Sequence, residues 1–183
     1  MSDDFTHRLA VRSDLPALKA LMDAAIGELQ APFLTPEQVQ ASRMIMGLDS
    51  QLIDDATYFI VETKDAPLQI AGCGGWSRRA TLYGGDHSPG RDVALLDPKT
   101  EAARVRAMYT APAFARRGVG RLILQICETA AAAEGFTRVE LAGTLSGEPL
   151  YTACHYTVIE RFLDDRGGRP VPLARMGKNL EGK

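Results

Sequence analysis

The chain has 183 residues, of which 45% are hydrophobic and 24% charged, so it can bury a sizeable core as one domain spanning residues 1–183. The formal net charge is −2, so no global positive field attracts nucleic acid or an acidic membrane surface. Any binding site for an anion must therefore be local.

The cysteines and the chain start predict a cytoplasmic protein without a metal. Cys73, Cys127 and Cys154 are widely spaced and form no C-x-x-C pair, which argues against a disulfide framework and against a zinc site. The opening stretch is polar and lacks the apolar region of a signal peptide. No run of about 18 apolar residues predicts a membrane span.

The first half of the chain predicts two helices and three strands. A strand at 7–13 is followed by a helix that Ser13 or Asp14 caps and that runs through Gln30, with apolar residues at helical spacing. Thr35, Pro36 and Gln38 have the pattern of a capping box at a second helix start. The segments 57–63 and 68–76 then predict a hairpin.

The second half continues the alternation after a glycine- and proline-rich insertion at about 78–100. A strand at 103–111 leads into a helix from Gly118 that Gly135 ends, and a strand at 137–143 follows. A short helix at 146–155 precedes strands at 156–163 and 171–179. The order β-α-α-β-β-β-α-β-α-β-β predicts an α+β fold, an α/β sandwich with a mixed, mostly antiparallel central sheet flanked by helices.

The turn before the fourth helix predicts an anion site. The segment "ARRGVG" at 115–120 places two glycines at a helix N-terminus, where about four backbone N–H groups lack partners and the helix dipole is positive. Glycines at 118 and 120 let the backbone approach a ligand closely. The simpler alternative is a solvated helix start. Neither a P-loop nor a G-x-G-x-x-G pattern is present.

The strand, turn and helix of "VRAMYTAPAFARRGVGRLIL" resemble the acetyl-CoA-binding motif of the GCN5-related N-acetyltransferase (GNAT) superfamily. The first position of the Q/R-x-x-G-x-G/A motif falls on Ala115, and two arginines follow. The later segment "LYTACHY" is similar to the region of the family that carries a catalytic tyrosine, and the order of the elements is similar along nearly the whole chain.

This resemblance implies an acetyl-CoA-dependent N-acetyltransferase that acetylates a primary amine by direct attack on the thioester. It implies that Tyr151 is the catalytic acid, because a phenol is protonated at neutral pH and can donate to the departing thiolate. Acetyl-CoA is the implied cosubstrate, with no metal. The implied binding residues are Met108, Tyr109 and Thr110 for pantetheine, and Arg116, Arg117, Gly118, Val119, Gly120 and Arg121 for the pyrophosphate.

Two further arginines lie on the strand at 103–111. Strand alternation predicts that Arg104 and Arg106 share one face with Met108 and Thr110. Either guanidinium could bind a carboxylate or phosphate of the acceptor, or could pair with a neighbour such as Glu140. No general base is evident, and a packing role is favoured over catalysis for His155.

Two other functions remain open from the sequence. The chain could be a non-catalytic acyl-CoA-binding regulatory module, or an interaction domain whose arginine turn contacts a protein carboxylate. The amine acceptor, a small molecule or a peptide, is not identified. A homodimer is possible, and neither nucleic acid nor a membrane is expected as a partner.

Overall fold

The computed structural model describes residues 4–180, and its centre is a seven-stranded sheet in the order β1-β2-β3-β4-β5-β7-β6. Neighbouring strands are antiparallel except for the parallel pair β4 and β5. The strands are β1 (Phe5–Leu9), β2 (Tyr58–Thr63), β3 (Ile70–Ser77), β4 (Ala103–Thr110), β5 (Arg138–Thr144), β6 (Thr157–Asp164) and β7 (Val171–Asn179). The predicted mixed, mostly antiparallel sheet with flanking helices is confirmed.

Five α-helices flank this sheet: α1 (Leu15–Leu29), α2 (Pro36–Ile45), α3 (Ser50–Asp54), α4 (Val119–Ala133) and α5 (Glu148–Ala153). The capping box of α2 is confirmed, because Thr35 Oγ1 accepts from the Gln38 N–H and Gln38 Oε1 accepts from the Thr35 N–H. The sequence reading missed α3. Its five residues are too few to show a helical period, and it depends on the Asp49 carboxylate, which caps its first turn.

Helices cover both faces of the sheet and bury three apolar clusters, of which those that include α4 and α1 are the larger two. On one face α4 places Ile123, Leu124 and Cys127 against β3, β4 and β5. On the other face Leu18 and Met22 of α1 pack on the strands. Full burial of one such aliphatic side chain contributes about 1.5–3 kcal/mol, so these two layers supply most of the driving force for the fold.

The glycines of β3 allow α4 to lie directly on the sheet. A Cβ added to Gly72 would come within 2.6 Å of Val119, and one added to Gly74 would come within 2.6 Å of Ile123. Any larger residue at either position would push the helix away. The position of the α4 N-terminus is therefore fixed by the bare backbone of β3.

A β-bulge interrupts β4 at Ala107. The pairing with β3 passes from Gly75↔Arg106 to Cys73↔Tyr109, and Ala107 has a left-handed φ of +50°. The bulge reverses the side-chain alternation, so Met108 packs on the α4 face. The prediction that Arg104 and Arg106 share a face with Met108 and Thr110 was therefore wrong, because it assumed an unbroken strand.

Strands β4 and β5 part soon after they meet. Their parallel pairing consists of Ala103↔Val139 and Arg104↔Glu140. Beyond Arg104 the edge of β4 that faces β5 has no strand partner within residues 4–180. A gap consequently opens between the two strands, and its walls come from neighbouring elements.

One wall of this gap is the segment 78–102, which joins β3 to β4 without a helix or strand of its own and contains a single bridge, Arg79↔Leu95. The buried Asp49 carboxylate fixes it in place. Asp49 lies 2.5 Å from Arg91 in this segment and 2.5 Å from Arg106 on β4. Arg106 also donates to the Gly84 carbonyl at 2.7 Å. The segment is thus attached to the sheet by charge-assisted contacts in the interior.

We expect Asp49→Ala to lower the free energy of unfolding by about 3–5 kcal/mol, because it leaves the buried Arg106 guanidinium without its carboxylate. Arg91 would keep its contact with Asp86 alone. The control is Asp23→Ala, which removes an ion pair of a carboxylate that is 57% exposed and should cost less than about 1 kcal/mol. Urea denaturation measures both values. Equal losses in the two variants would show that the Asp49 pairs do not stabilise the fold.

Candidate functional site

A run of six unpaired backbone donors precedes and opens α4. Within residues 4–180, no backbone N–H from Arg116 to Arg121 meets an acceptor, and the first bond of the helix runs from the Leu122 N–H to the Gly118 carbonyl at 3.0 Å. Arg116 and Gly118 both have left-handed φ, +64° and +87°. The unpaired donors that the sequence predicted at this turn are present.

This turn can bind an anion. Consecutive N–H groups around left-handed residues form a concave group of donors, and the N-terminus of a 15-residue helix adds its positive dipole end. Arg116 and Gly118 are exposed, so a ligand can reach the turn. Phosphate oxygens suit such a site because they accept several hydrogen bonds at once.

The three arginines of the turn differ in what they contact. The Arg117 guanidinium lies over the rings of Phe5 and Phe114, at 5.4 and 5.2 Å, and 3.6 Å from Asp4. Arg116 and Arg121 are exposed and have no ion pair or side-chain hydrogen bond within residues 4–180. Two of the three side chains are therefore available to an anion, and the third covers aromatic rings.

The two glycines of the turn have different surroundings within the chain. A Cβ on Gly118 would meet nothing within 4 Å, so its left-handed φ is what requires glycine. A Cβ on Gly120 would lie 2.6 Å from Leu150. Gly120 therefore serves the packing of α4 against α5.

The free edge of β4 precedes this turn in the chain. It includes the three residues that the sequence predicted for pantetheine. Tyr109 and Thr110 pair with Cys73 and Gly72 of β3, and Met108 lies in the bulge. The opposite edge of this segment faces the gap, where β5 has already diverged. An extended ligand could hydrogen-bond to this backbone as an additional strand would.

A cavity of about 80 Å³ occupies the gap between β4 and β5. Its lining includes Met108 and Tyr109 of β4, Leu141, Ala142 and Thr144 of β5, Tyr151 of α5, Ile45 and Met46 of α2, Leu82 to Gly84 of the 78–102 segment, and Leu173 of β7. The cavity therefore joins elements from the whole length of the chain, with the free edge of β4 as one side.

Tyr151 lines this cavity and is almost completely buried. Its ring lies against the bare backbone of Gly143 and Gly147, where an added Cβ would come within 3.0 and 2.8 Å of it. Its hydroxyl makes no hydrogen bond within residues 4–180, so local satisfaction does not explain it. Burial, with a smaller contribution from Cys154, raises the pKa of Tyr151 to about 12, and the phenol is neutral at any physiological pH.

A third tyrosine of the cavity wall, Tyr83, was missed by sequence reasoning. The Tyr83 hydroxyl donates to Asp164 at 2.8 Å, and Arg166 binds the same carboxylate while its guanidinium lies 5.0 Å over the Tyr83 ring. Burial by itself would raise the pKa of Asp164, but hydrogen bonds from Arg166 and Tyr83 outweigh it and lower that pKa. Partners 81 residues apart leave no signal in the local sequence.

The arginines predicted for the acceptor are bound by carboxylates of the chain. Arg104 donates to Glu140, which also accepts from Arg175 at 2.7 Å, so the alternative pairing with Glu140 is confirmed. Arg106 is bound to Asp49, and burial lowers the pKa of its guanidinium. Both guanidinium groups are thus engaged within the chain, and only Arg106 belongs to the lining of the cavity.

The described lining of the cavity contains no carboxylate and no imidazole. His155 is exposed with a left-handed φ of +69° and lies outside the lining. His87 is held by the Met44 carbonyl at 2.9 Å from its Nε2. The sequence reading named no general base, and the lining residues supply none.

The described part of the chain contains neither a candidate metal site nor a candidate membrane span. Between residues 4 and 180, no three His, Cys, Asp or Glu side chains are grouped to hold a metal ion. Over the same residues, every helix is too short or too polar to cross a bilayer.

Comparison with known proteins identifies the fold and the family. The model of the acetyltransferase (GNAT) family matches residues 19–156, more than half of the chain. No curated protein matches the sequence.

Three solved structures illustrate the likeness of fold. A GCN5-related N-acetyltransferase from Rhodopseudomonas palustris is 18% identical, with a TM-score of 0.70 and 98% of each chain covered. The acetyltransferase yncA of Salmonella typhimurium, solved with acetyl-CoA, is 15% identical with a TM-score of 0.63, covering 99% of this chain and 96% of that one. A Mycobacterium tuberculosis protein in complex with CoA and NLQ is 17% identical with a TM-score of 0.60, covering 96% and 99%.

The parted strands, the open amide turn and the match over residues 19–156 agree with one another. This chain belongs to the GNAT acetyltransferase family.

Proposed function

We propose that the protein transfers the acetyl group of acetyl-CoA to a primary amine. The single observation that carries this proposal is the run of six unpaired N–H groups from Arg116 to Arg121 at the start of α4. A donor array of this size needs an anionic ligand or water, and the diphosphate of CoA provides two adjacent anionic groups. Two solved relatives of similar fold contain CoA or acetyl-CoA.

The geometry of the turn and of β4 supports a proposal for the binding residues. The amides of residues 116–121 would hold the pyrophosphate, with added charge from the Arg116 and Arg121 side chains. Arg117 would contribute its backbone alone, since its side chain covers two rings. The free edge of β4 at Met108, Tyr109 and Thr110 would pair with pantetheine and direct the thioester into the cavity.

The transfer needs one bond made and one broken. The neutral amine attacks the thioester carbonyl carbon to form a C–N bond, and the C–S bond then breaks. The nitrogen loses a proton to water, and the departing sulfur takes one from the Tyr151 hydroxyl, which water reprotonates. A backbone N–H at the free edge of β4 would stabilise the oxyanion that forms between these events.

The environment of Tyr151 suits the role of an acid. Its pKa of about 12 keeps the proton in place until sulfur leaves. A phenol with this pKa is a weaker acid than free tyrosine, but burial in the same cavity also disfavours a thiolate and raises the pKa of the leaving thiol. The two effects offset each other.

A non-catalytic acyl-CoA-binding module is the second candidate function. It is favoured by one observation, the absence of a carboxylate or imidazole from the described lining of the cavity. Calorimetry with acetyl-CoA tests binding for both candidates, and release of free thiol in the presence of a panel of amines tests turnover. Binding without turnover for any amine would favour the module, and no binding would refute both.

We expect Tyr151→Phe to lower kcat by about 10²-fold or more while the Kd of acetyl-CoA changes by less than about twofold, because general acid catalysis contributes about 10²–10⁴-fold. Thiol release and calorimetry measure the two quantities. Tyr156→Phe is the matched control, since the Tyr156 hydroxyl is bound by Glu128 at 3.0 Å and its ring is 6.0 Å from that of Tyr151. Full activity in Tyr151→Phe would remove Tyr151 from the mechanism.

We expect Gly118→Val to weaken acetyl-CoA binding by about 30-fold or more. The left-handed φ of Gly118 is strained for valine, so the amides would turn away from the ligand, and each hydrogen bond to a charged group is worth about 1.5–3 kcal/mol. Arg116→Ala should weaken binding by about fivefold at most, since an exposed charge contributes about 0.2–1 kcal/mol. Calorimetry ranks the two, and the reverse order would mean that side-chain charge dominates.

We expect log kcat/KM to rise with pH at a slope of about one up to the pKa of the acceptor amine, because the lining supplies no base. An amine with a pKa of about 10.4 should still be rising at pH 9, whereas an α-amino compound should level off near pH 8. Tyr151 causes no fall in this range, since its acid form persists until about pH 12. An inflection at the same pH for both amines would reveal a protein base and contradict this prediction.

A further inference from the structure

Two carboxylates stand directly behind the cavity walls, and the chain itself neutralises both. Asp49 is 0% exposed, and its two oxygens lie 2.5 Å from Arg91 and from Arg106. Neither oxygen can turn toward the cavity without leaving a guanidinium unpaired in the interior. An acceptor with a second ammonium group would find no counter-ion here.

The second carboxylate is equally unavailable to a ligand. Asp164 is 2% exposed and accepts from the Tyr83 hydroxyl at 2.8 Å and from the Arg166 guanidinium. The Tyr83 hydroxyl donates its proton to a hydrogen bond with Asp164, so it cannot also donate to a ligand. On this side of the cavity the Tyr83 ring therefore forms the wall. The Asp164 carboxylate behind it is neutralised by the Arg166 guanidinium.

The positively charged side chains at the cavity are also neutralised by partners within the chain. The Arg106 side chain, the only cationic one in the described lining, is 2% exposed and bound to Asp49 and to the Gly84 carbonyl. Arg91, behind it, is bound to Asp49 and lies 3.2 Å from Asp86. A carboxylate on the acceptor would meet no free guanidinium, so an anionic acceptor is disfavoured as much as a dication.

The other side chains of the described lining are uncharged. Ile45, Met46, Leu82 and Leu173 supply aliphatic surface. The volume of about 80 Å³ is smaller than the roughly 150 Å³ of an apolar protein cavity that binds benzene. A short aliphatic chain suits this space.

We propose that the acceptor is a small primary monoamine whose nitrogen is carried on a short, uncharged aliphatic chain. This inference rests on the proposed acetyl transfer and names its substrate class. An ionised group forced against these walls would lose its hydration without gaining a partner, which costs far more than burying a methyl group contributes. Polyamines, aminoglycosides and anionic amino acids are thereby excluded as preferred acceptors.

The test uses three amines of equal chain length that differ in their far end. Butylamine ends in a methyl group, putrescine in a second ammonium group and γ-aminobutyrate in a carboxylate. With saturating acetyl-CoA and thiol release as the readout, we expect kcat/KM for butylamine to exceed the other two values by at least tenfold. A preference for putrescine or for γ-aminobutyrate would overturn the inference while leaving acetyl transfer intact.

A variant extends the test to the wall itself. Leu82→Glu places a carboxylate on the cavity-lining segment, where Leu82 is half-buried and belongs to none of the three apolar clusters. It should raise the ratio of kcat/KM for putrescine to that for butylamine by at least tenfold. Leu68→Glu is the matched control, since Leu68 is 63% exposed in the β2–β3 hairpin, and its ratio should stay unchanged. An unchanged ratio in Leu82→Glu would also overturn the inference.

Calorimetry with acetyl-CoA on the same samples separates this inference from the proposed function. If acetyl-CoA binds and none of the three amines is acetylated, the monoamine assignment is wrong although the binding site is intact. If acetyl-CoA does not bind, the proposed function fails first.

Discussion

The separation of β4 from β5 is the constraint on which the site depends. The two strands share two residue pairs, and then the bulge at Ala107 turns β4 away. The bulge is held from behind: the buried Tyr58 donates its hydroxyl to the Ala107 carbonyl at 2.8 Å, and its ring fits against Gly75, where a Cβ would come within 2.7 Å of it. Without this separation β4 would have no free edge, and the cavity between β4 and β5 would not exist.

The charges of the molecule are divided between two regions. At the α4 turn the backbone donors and two arginine side chains have no partner among residues 4–180, which suits a multiply charged phosphate group. Around the cavity, by contrast, every carboxylate and guanidinium that the described residues bring near is paired within the chain. The anionic and the neutral parts of the proposed reaction would thus be recognised by different means, one by open donors and one by the exclusion of charge.

Much of the fold followed from local patterns. The capping box at Thr35, the β2–β3 hairpin and the helix after Gly118 were predictable because each depends on residues within a few positions of one another. The failures have a common cause. Helix α3 was too short to show a period, and the faces of β4 were misassigned since strand alternation cannot reveal a bulge that β2 and β3 impose from outside.

The sequence by itself determined that a strand, a glycine turn and a helix would leave backbone donors unpaired, because the count of free amides at a helix start is a local property. It also placed a tyrosine in the short helix that borders the cavity. Only the tertiary structure decided which side chains are available. Arg117 is withdrawn onto two aromatic rings, Arg104 and Arg106 are bound by carboxylates, and Tyr83 is paired with Asp164 across 81 residues. A side chain's partner is set by packing between distant segments, and no local pattern encodes that.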